Sequence, residues 1–161
     1  MIVTPLFVIF LVVVFILVWL FVNTIDKRKW LTFIVSLAIT PVVYFYMFYP
    51  MLNIFSSYHH EKYFDAVAWE DKPQLRYEMA NKILIDSLLI GKNKKEVESL
   101  LGKPEWFGWD ETLKANSQKK WNYNLGFKPG AFNNMQECLE LQFNNNTVES
   151  IKPYQLEKKF E

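Results

Sequence analysis

Two long apolar runs near the N-terminus constrain this chain more than any other feature. Residues 2–22 are 21 consecutive positions without a charge, and residues 30–49 form a second apolar run of 20. An α-helix rises about 1.5 Å per residue, so each run reaches about 30 Å, the thickness of the hydrocarbon core of a bilayer. The sequence therefore predicts a transmembrane helical hairpin over residues 1–50, with the membrane lipid bilayer as its first partner.

Two alternatives to this hairpin agree less well with the sequence. A cleavable signal peptide has a positively charged start, a shorter apolar stretch and small residues at its end, whereas the first run closes with Trp19–Val22. A hydrophobic hairpin buried in a soluble protein would need more covering surface than a chain of 161 residues can supply. We therefore expect both helices to be retained in a membrane.

The short loop between the two runs predicts the orientation. Lys27, Arg28 and Lys29 are clustered there with a single acidic residue, Asp26. Cytoplasmic loops carry the excess of Lys and Arg in membrane proteins. A cytoplasmic loop places both termini, and everything after the second helix, on the outer side.

Residues 51–161 have little net charge and a single cysteine. They carry 15 basic and 16 acidic residues, which argues against a nucleic-acid partner, since that would require clustered basic residues. Cys138 has no second cysteine with which to form a disulfide. We expect an aromatic-rich juxtamembrane connector over residues 51–72 and a small domain, held together by an apolar core, over residues 73–161.

The small domain begins with an amphipathic helix. Pro73 suits the first turn of a helix, and Leu75, Met79 and Ile83 recur every four residues with polar positions between them. Gly91 interrupts this pattern. The spacing predicts a helix of about three turns with one buried face.

A second helix is predicted over Lys94–Leu101. Asn93 can cap its start, and Glu96, three residues later, can return a hydrogen bond to the cap. Gly102 stands at the position where helices often end in a left-handed conformation, and Pro104 prevents continuation.

Three strands follow. Apolar and polar residues alternate over residues 121–125 and 139–143, and residues 147–152 can pair back across a turn at Asn144–Asn146. Such alternation indicates a sheet with one buried face and one solvent-exposed face. The expected fold is α+β: two transmembrane helices, then two helices packed on a three-stranded antiparallel sheet.

The order of these motifs resembles the small SmpA/OmlA domain, also called BamE-like. The resemblance covers about residues 73–152. It rests on Leu89–Val97, Leu100–Pro104, Trp121–Gly126 and Leu139–Val148. It implies a domain of the bacterial periplasm that binds other envelope proteins, and the same architecture occurs in secreted inhibitors of β-lactamase. Members usually carry a lipid anchor, whereas two helices stand in its place here, which favours a two-pass protein of the inner membrane.

Few residues suggest a metal-binding or catalytic role. His59 and His60 are adjacent, whereas two metal ligands on one helix face need a spacing of three or four; an interfacial polar patch explains them better. Cys138 could serve as a nucleophile only with a histidine nearby, and free cysteines are commonly small core residues. We expect no catalytic residue, metal or cofactor.

Aromatic residues in the predicted loops are the candidate partner-binding residues. Trp106, Phe107 and Trp109 precede the first predicted strand, and Phe127 and Phe132 lie in the predicted loop after it, Gly126 to Asn134. Exposed aromatic side chains often anchor protein interfaces. The alternative is that they pad the edge of the sheet.

These observations favour a membrane-anchored, non-enzymatic module that binds a protein partner in the bacterial cell envelope. The alternative is an inhibitor or immunity-type protein that blocks an envelope enzyme or toxin. An enzyme would need a convergent set of polar residues. The sequence predicts neither such a set nor a small-molecule substrate.

Overall fold

The computed structural model describes residues 1–159. The chain divides into two compact units. One, the membrane unit, holds residues 2–60 together with residues 129–131. The other, the sheet domain, holds residues 61–128 and those from Phe132 onwards.

The two apolar runs form helices that are long and apolar enough to cross a membrane. The first, α1, spans Pro5–Ile25. The second run begins as α2, Lys29–Val43, passes through a π-helical turn, Tyr44–Phe48, and ends as α3, Tyr49–Phe55. Together these pieces form a helix of 27 residues, against 21 in α1. The second helix therefore extends beyond the apolar run that predicted it.

Small hydroxyl residues line the side of α2 that packs against α1. Thr32, Ser36 and Thr40 are at most 5% exposed. Each hydroxyl donates a hydrogen bond to a carbonyl oxygen three or four residues earlier in the same helix. Hydroxyl groups satisfied in this way suit an apolar interior, and their small side chains let the two helices approach closely.

The sheet domain starts within the predicted connector. Helix α4, Ala66–Asp71, is capped by Asp65, whose carboxylate accepts a hydrogen bond from the Ala68 amide (2.7 Å). Its Trp69 is 1% exposed, and the indole donates a hydrogen bond to the Leu101 carbonyl oxygen (3.0 Å). Part of the segment expected to connect the two units therefore contributes to the core of the sheet domain.

Two further helices pack on the sheet. A 3₁₀ turn at Pro73–Leu75 leads into α5, Tyr77–Ile85, and α6 spans Lys94–Leu101. The predicted capping box of α6 is confirmed: Asn93 accepts from the Glu96 amide (3.1 Å), and the Glu96 carboxylate accepts from the Asn93 amide (2.7 Å).

The sheet has four antiparallel strands in the order β1-β2-β3-β4. They span Trp106–Asp110, Ala115–Phe127, Met135–Asn144 and Thr147–Glu157. The turn predicted at Asn144–Asn146 is confirmed, with positive φ angles of 47° and 70° at Asn145 and Asn146. The α+β class is also confirmed.

The expectation of three strands and two packed helices was wrong in detail. The fourth strand is β1, which sequence reasoning placed in a loop, and α4 adds a third packed helix. Gly108 and a bulge between Phe107 and Gly108 interrupt the alternation along β1. Pairing with the first half of β2 makes this segment extended, and such pairing is not visible in the local sequence.

The core of the sheet domain lies between the helices and one face of the sheet. The helices contribute aliphatic and aromatic side chains, and β2, β3 and β4 contribute alternate residues. The most deeply buried members are Trp69, Ile83, Leu89, Val97, Tyr123, Leu125, Leu139, Leu141 and Val148.

Two close contacts join the segment before α5 to the sheet. The Arg76 guanidinium donates hydrogen bonds to the Asn124 carbonyl oxygen of β2 (3.2 Å) and to the carboxylate of Glu105, just before β1 (2.6 Å). Gly126 has a φ of 89°, and a Cβ there would lie 2.2 Å from the Gln74 carbonyl oxygen. Glycine at this position therefore allows the backbone of the 3₁₀ turn to contact the sheet directly.

Candidate functional site

The sheet carries polar residues on the face opposite the helices. Trp106 on β1 lies opposite Asn122 on β2. Glu140 on β3 lies between Asn122 and Lys152 of the neighbouring strands. These four residues form a row across the sheet. Because side chains alternate along a strand, the side chains of this row point to the face opposite core residues such as Trp121.

This face holds a groove of about 410 Å³. Its walls combine aromatic rings with amide, carboxylate, ammonium and phenol groups. The lining residues are Trp106, Phe107, Gly108, Trp109, Asn116, Asn122, Glu140, Lys152 and Tyr154. Such a mixture offers both apolar contact area and directional hydrogen bonds to a bound molecule.

Asn122 is the buried polar group of the groove. It is 1% exposed, and its amide oxygen accepts a hydrogen bond from the Tyr154 hydroxyl (2.7 Å). Its amide nitrogen has no hydrogen-bond partner among the described residues. A buried donor without a partner is costly, so an acceptor at this position would be stabilising.

Burial raises the pKa of Tyr154 to about 12. The phenol is therefore protonated at neutral pH and acts as the donor to Asn122. A protonated phenol can orient a neighbouring amide but cannot accept a proton as a general base.

Glycine at position 108 makes room for side chains of the neighbouring strands. A Cβ there would lie 2.6 Å from a carboxylate oxygen of Glu140 and 3.0 Å from the Asn122 amide nitrogen. The Lys120 ammonium donates a hydrogen bond to the Trp109 carbonyl oxygen (2.9 Å). Contacts across the sheet therefore hold β1 where its aromatic residues border the groove.

The structure brings three of the five candidate binding residues together. Trp106, Phe107 and Trp109 lie on β1 and line the groove. Phe107 is 38% exposed and Trp109 is 51% exposed, while Trp106 is half-buried. Trp106 lies on the same face of the sheet as Asn122, whereas Phe107 pairs with the core residue Trp121 and borders the groove from the edge of β1.

The other two candidates lie elsewhere. Phe127 is the half-buried last residue of β2, and Phe132 is 98% exposed in the loop that follows. Trp106 pairs with Asn122, and Phe127 lies five residues further along β2. At about 3.3 Å per residue this is a separation of about 16 Å, so Phe127 and Phe132 are not part of the groove.

His60 lies among aromatic rings, and Cys138 lies on the sheet between Asn124 and Tyr154 of the neighbouring strands. His60 is 8% exposed and stacks on Tyr49, with ring centroids 4.3 Å apart, and it also contacts the rings of Phe7 and Tyr44. Cys138 is fully buried, and burial raises the pKa of its thiol to about 11. Such a thiol is protonated at neutral pH and is a poor nucleophile.

Sequence reasoning did not identify the polar residues of the groove. The alternation predicted only that Asn122 and Glu140 are solvent-exposed positions of strands. It did not predict which strands lie next to each other. Lys152 was taken as the end of the last strand, whereas β4 continues through Tyr154 to Glu157. The alternation signalled a polar face without predicting which residues converge on it.

Comparison with protein-family models, with curated proteins and with solved structures returned no match. The likeness to the SmpA/OmlA domain therefore rests on the motifs of this chain alone.

Proposed function

We propose that this protein is a membrane-anchored, non-enzymatic module of the bacterial cell envelope that binds a protein partner through the groove bordered by β1. The SmpA/OmlA-like domain would be presented outside the cytoplasm by a two-pass anchor in the inner membrane. The observation that carries the proposal is the set of aromatic residues Trp106, Phe107 and Trp109 lining the groove beside the buried Asn122 amide, whose nitrogen has no hydrogen-bond partner within residues 1–159.

The membrane anchor is supported by the two apolar helices and by the charge of the loop between them. Lys27, Arg28 and Lys29 make the loop basic, and Asp26 is paired with Arg28 (2.7 Å). Under the positive-inside rule this loop is cytoplasmic, so both termini and the sheet domain lie outside.

Protein binding is supported by the surface chemistry of β1. Exposed Trp and Phe side chains supply large contact area, and buried polar groups beside them give directional specificity. Asn122 offers a donor, and Glu140 and Lys152 offer one charge of each sign. A polypeptide supplies matching acceptors, donors and apolar side chains on one surface.

The chemistry of the groove favours recognition over catalysis. Tyr154 stays protonated at neutral pH because burial raises its pKa to about 12. Within residues 1–159, no group of three His, Cys, Asp or Glu side chains is placed to hold a metal ion. We therefore assign the groove to binding.

Crosslinking and affinity capture from intact membranes tests the proposal. We expect the unmodified chain to capture a specific envelope protein, and Trp109→Ala and Phe107→Ala each to weaken this capture by at least about tenfold, as loss of a binding hot spot would. Ile85→Ala is the matched control, since Ile85 is a 64% exposed apolar residue on α5 outside the groove.

Equal capture by all three variants would overturn the assignment of the groove. Capture of an enzyme or toxin whose activity falls on binding would identify the module as an inhibitor or immunity-type protein. Thermal unfolding of each variant shows whether reduced capture comes from loss of contact or loss of fold.

A further inference from the structure

The loop between β2 and β3 holds an apolar side chain away from the rest of the chain. Phe132 is 98% exposed. The Asn133 side chain fixes the loop, because its amide nitrogen donates to the Lys128 carbonyl oxygen (2.8 Å) and its amide oxygen accepts from the Met135 amide (2.9 Å). Phe132 is thus presented outward by a hydrogen-bonded loop.

The residues just before Phe132 belong to the membrane unit. Residues 129–131 group with residues 2–60, and the Ala131 amide donates a hydrogen bond to the Ile54 carbonyl oxygen (3.0 Å). Ile54 lies in the last turn of α3, where helix carbonyl groups have no partner within the helix. Phe132 follows Ala131 directly, and consecutive Cα atoms are about 3.8 Å apart.

The lengths of the two helices indicate the depth of Ile54. The helix Lys29–Phe55 has 27 residues and α1 has 21, which correspond to about 40 Å and about 31 Å. Their ends at the charged loop lie side by side, so the surplus of about 9 Å falls at the other end, where Ile54 lies. A bilayer with its headgroups is about 40–45 Å thick, which places Ile54 at headgroup level.

The membrane unit is apolar and exposed at this level. Met51, Ile54 and Phe55 are 59%, 49% and 83% exposed. Phe, Trp and Leu side chains form the faces of interfacial segments that enter the boundary between headgroups and acyl chains. Phe132 is bonded directly to Ala131, which is a residue of the membrane unit.

We propose that Phe132 inserts into the interfacial region of the bilayer as an aromatic anchor beside the end of α3. The ligand is the lipid surface itself. This inference rests on the membrane anchor of the proposed function and is independent of the groove on the sheet.

Photocrosslinking in a bilayer tests the proposal. The full chain carries benzoylphenylalanine in place of Phe132, is reconstituted in nanodiscs of phosphatidylcholine and phosphatidylglycerol, and is irradiated. We expect lipid-mass adducts at position 132. Position 45 is the lipid-facing control, since Phe45 lies in the second helix and is 42% exposed. Position 113 is the control in the sheet domain, because Leu113 is another apolar residue, 61% exposed, in the turn between β1 and β2.

A lipid adduct at positions 45 and 132 but not at 113 supports the anchor. An adduct at position 45 alone overturns the proposed anchor at Phe132 and does not affect the proposals on the membrane helices and the groove. Absence of adducts at both 45 and 132 overturns the membrane anchor as well. Crosslinking of position 132 to a protein instead of lipid in intact membranes also overturns the proposal and assigns Phe132 to a protein interface.

Discussion

At the residue scale, Gly126 lies where the backbone of the 3₁₀ turn meets the sheet. Its φ of 89° is in the left-handed region, and a Cβ would lie 2.2 Å from the Gln74 carbonyl oxygen. Gly126→Ala therefore combines backbone strain with a backbone clash. We expect a loss of about 2–5 kcal/mol in the free energy of unfolding. Urea unfolding of residues 61–161, followed by tryptophan fluorescence, measures this loss.

Gly102→Ala is the matched control for that experiment. Gly102 has a similar φ of 76°, but, apart from Gly102 and its two neighbours in the chain, no atom of the described residues lies within 4 Å of the place that a Cβ would take. Only backbone strain applies, so we expect a loss of about 1–2 kcal/mol. A larger loss at Gly102 than at Gly126 would contradict the role given to the contact with Gln74.

The burial of Cys138 predicts that the stability of the sheet domain falls at alkaline pH. Burial raises the pKa of its thiol from 9.0 to about 11. The unfolded chain therefore releases this proton near pH 9, while the folded chain keeps it until about pH 11. Stability is retained below pH 9 and falls as the pH rises through this window, because the unfolded state then binds fewer protons than the folded state.

Urea midpoints measured at neutral pH and between pH 9 and 11 test this dependence. Cys138→Ala should lose less stability across the window than the unmodified chain, although its stability at neutral pH is lower because a buried side chain has been shortened. Parallel pH curves for the two proteins would show that the thiol does not contribute.

At the element scale, the loop between α1 and α2 should set the orientation of the hairpin. The Arg28 guanidinium lowers the pKa of Asp26 to about 2, so the two charges cancel and Lys27 and Lys29 provide the net charge. We expect replacement of the three basic residues with Gln to weaken or scramble the orientation.

Reporter fusions at the C-terminus measure that orientation. In the unmodified chain we expect activity only from a reporter that works outside the cytoplasm. In the Gln variant we expect activity from both kinds of reporter. A C-terminal reporter active only in the cytoplasm of cells with the unmodified chain would contradict the proposed topology.

At the scale of the whole sheet domain, the core depends on a residue that comes before the predicted domain boundary. Trp69 is 1% exposed and donates a hydrogen bond to the Leu101 carbonyl oxygen. We expect Trp69→Ala to cost about 3–5 kcal/mol, a large share of the stability of a small domain.

Trp109→Ala is the control, since Trp109 is 51% exposed, and its effect on stability should stay within about 0.5 kcal/mol. Thermal and urea unfolding of residues 61–161 separate the two variants. Comparable losses for Trp69 and Trp109 would contradict the different roles given to them.

Features determined by neighbouring residues were predictable. The apolar runs, the capping box of Asn93 and Glu96 and the Asn145-Asn146 turn depend on contacts within a few positions of the chain. The aromatic half of the groove was also visible, because Trp106, Phe107 and Trp109 are close together in the sequence. These signals come from helix periodicity, hydrogen bonding at helix ends and tolerance of positive φ.

Only the tertiary structure decided which distant residues meet. β1 is a strand because β2 pairs with it, and Trp69 is buried in the core of the sheet domain, where its indole finds an acceptor in α6. Asn122 and Tyr154 form one hydrogen-bonded pair although 32 positions separate them. The sequence by itself determined where the chain is apolar, where α6 begins and where the last hairpin turns. Strand register and core packing, which depend on the summed energy of many distant contacts, decided the fourth strand and the polar half of the groove.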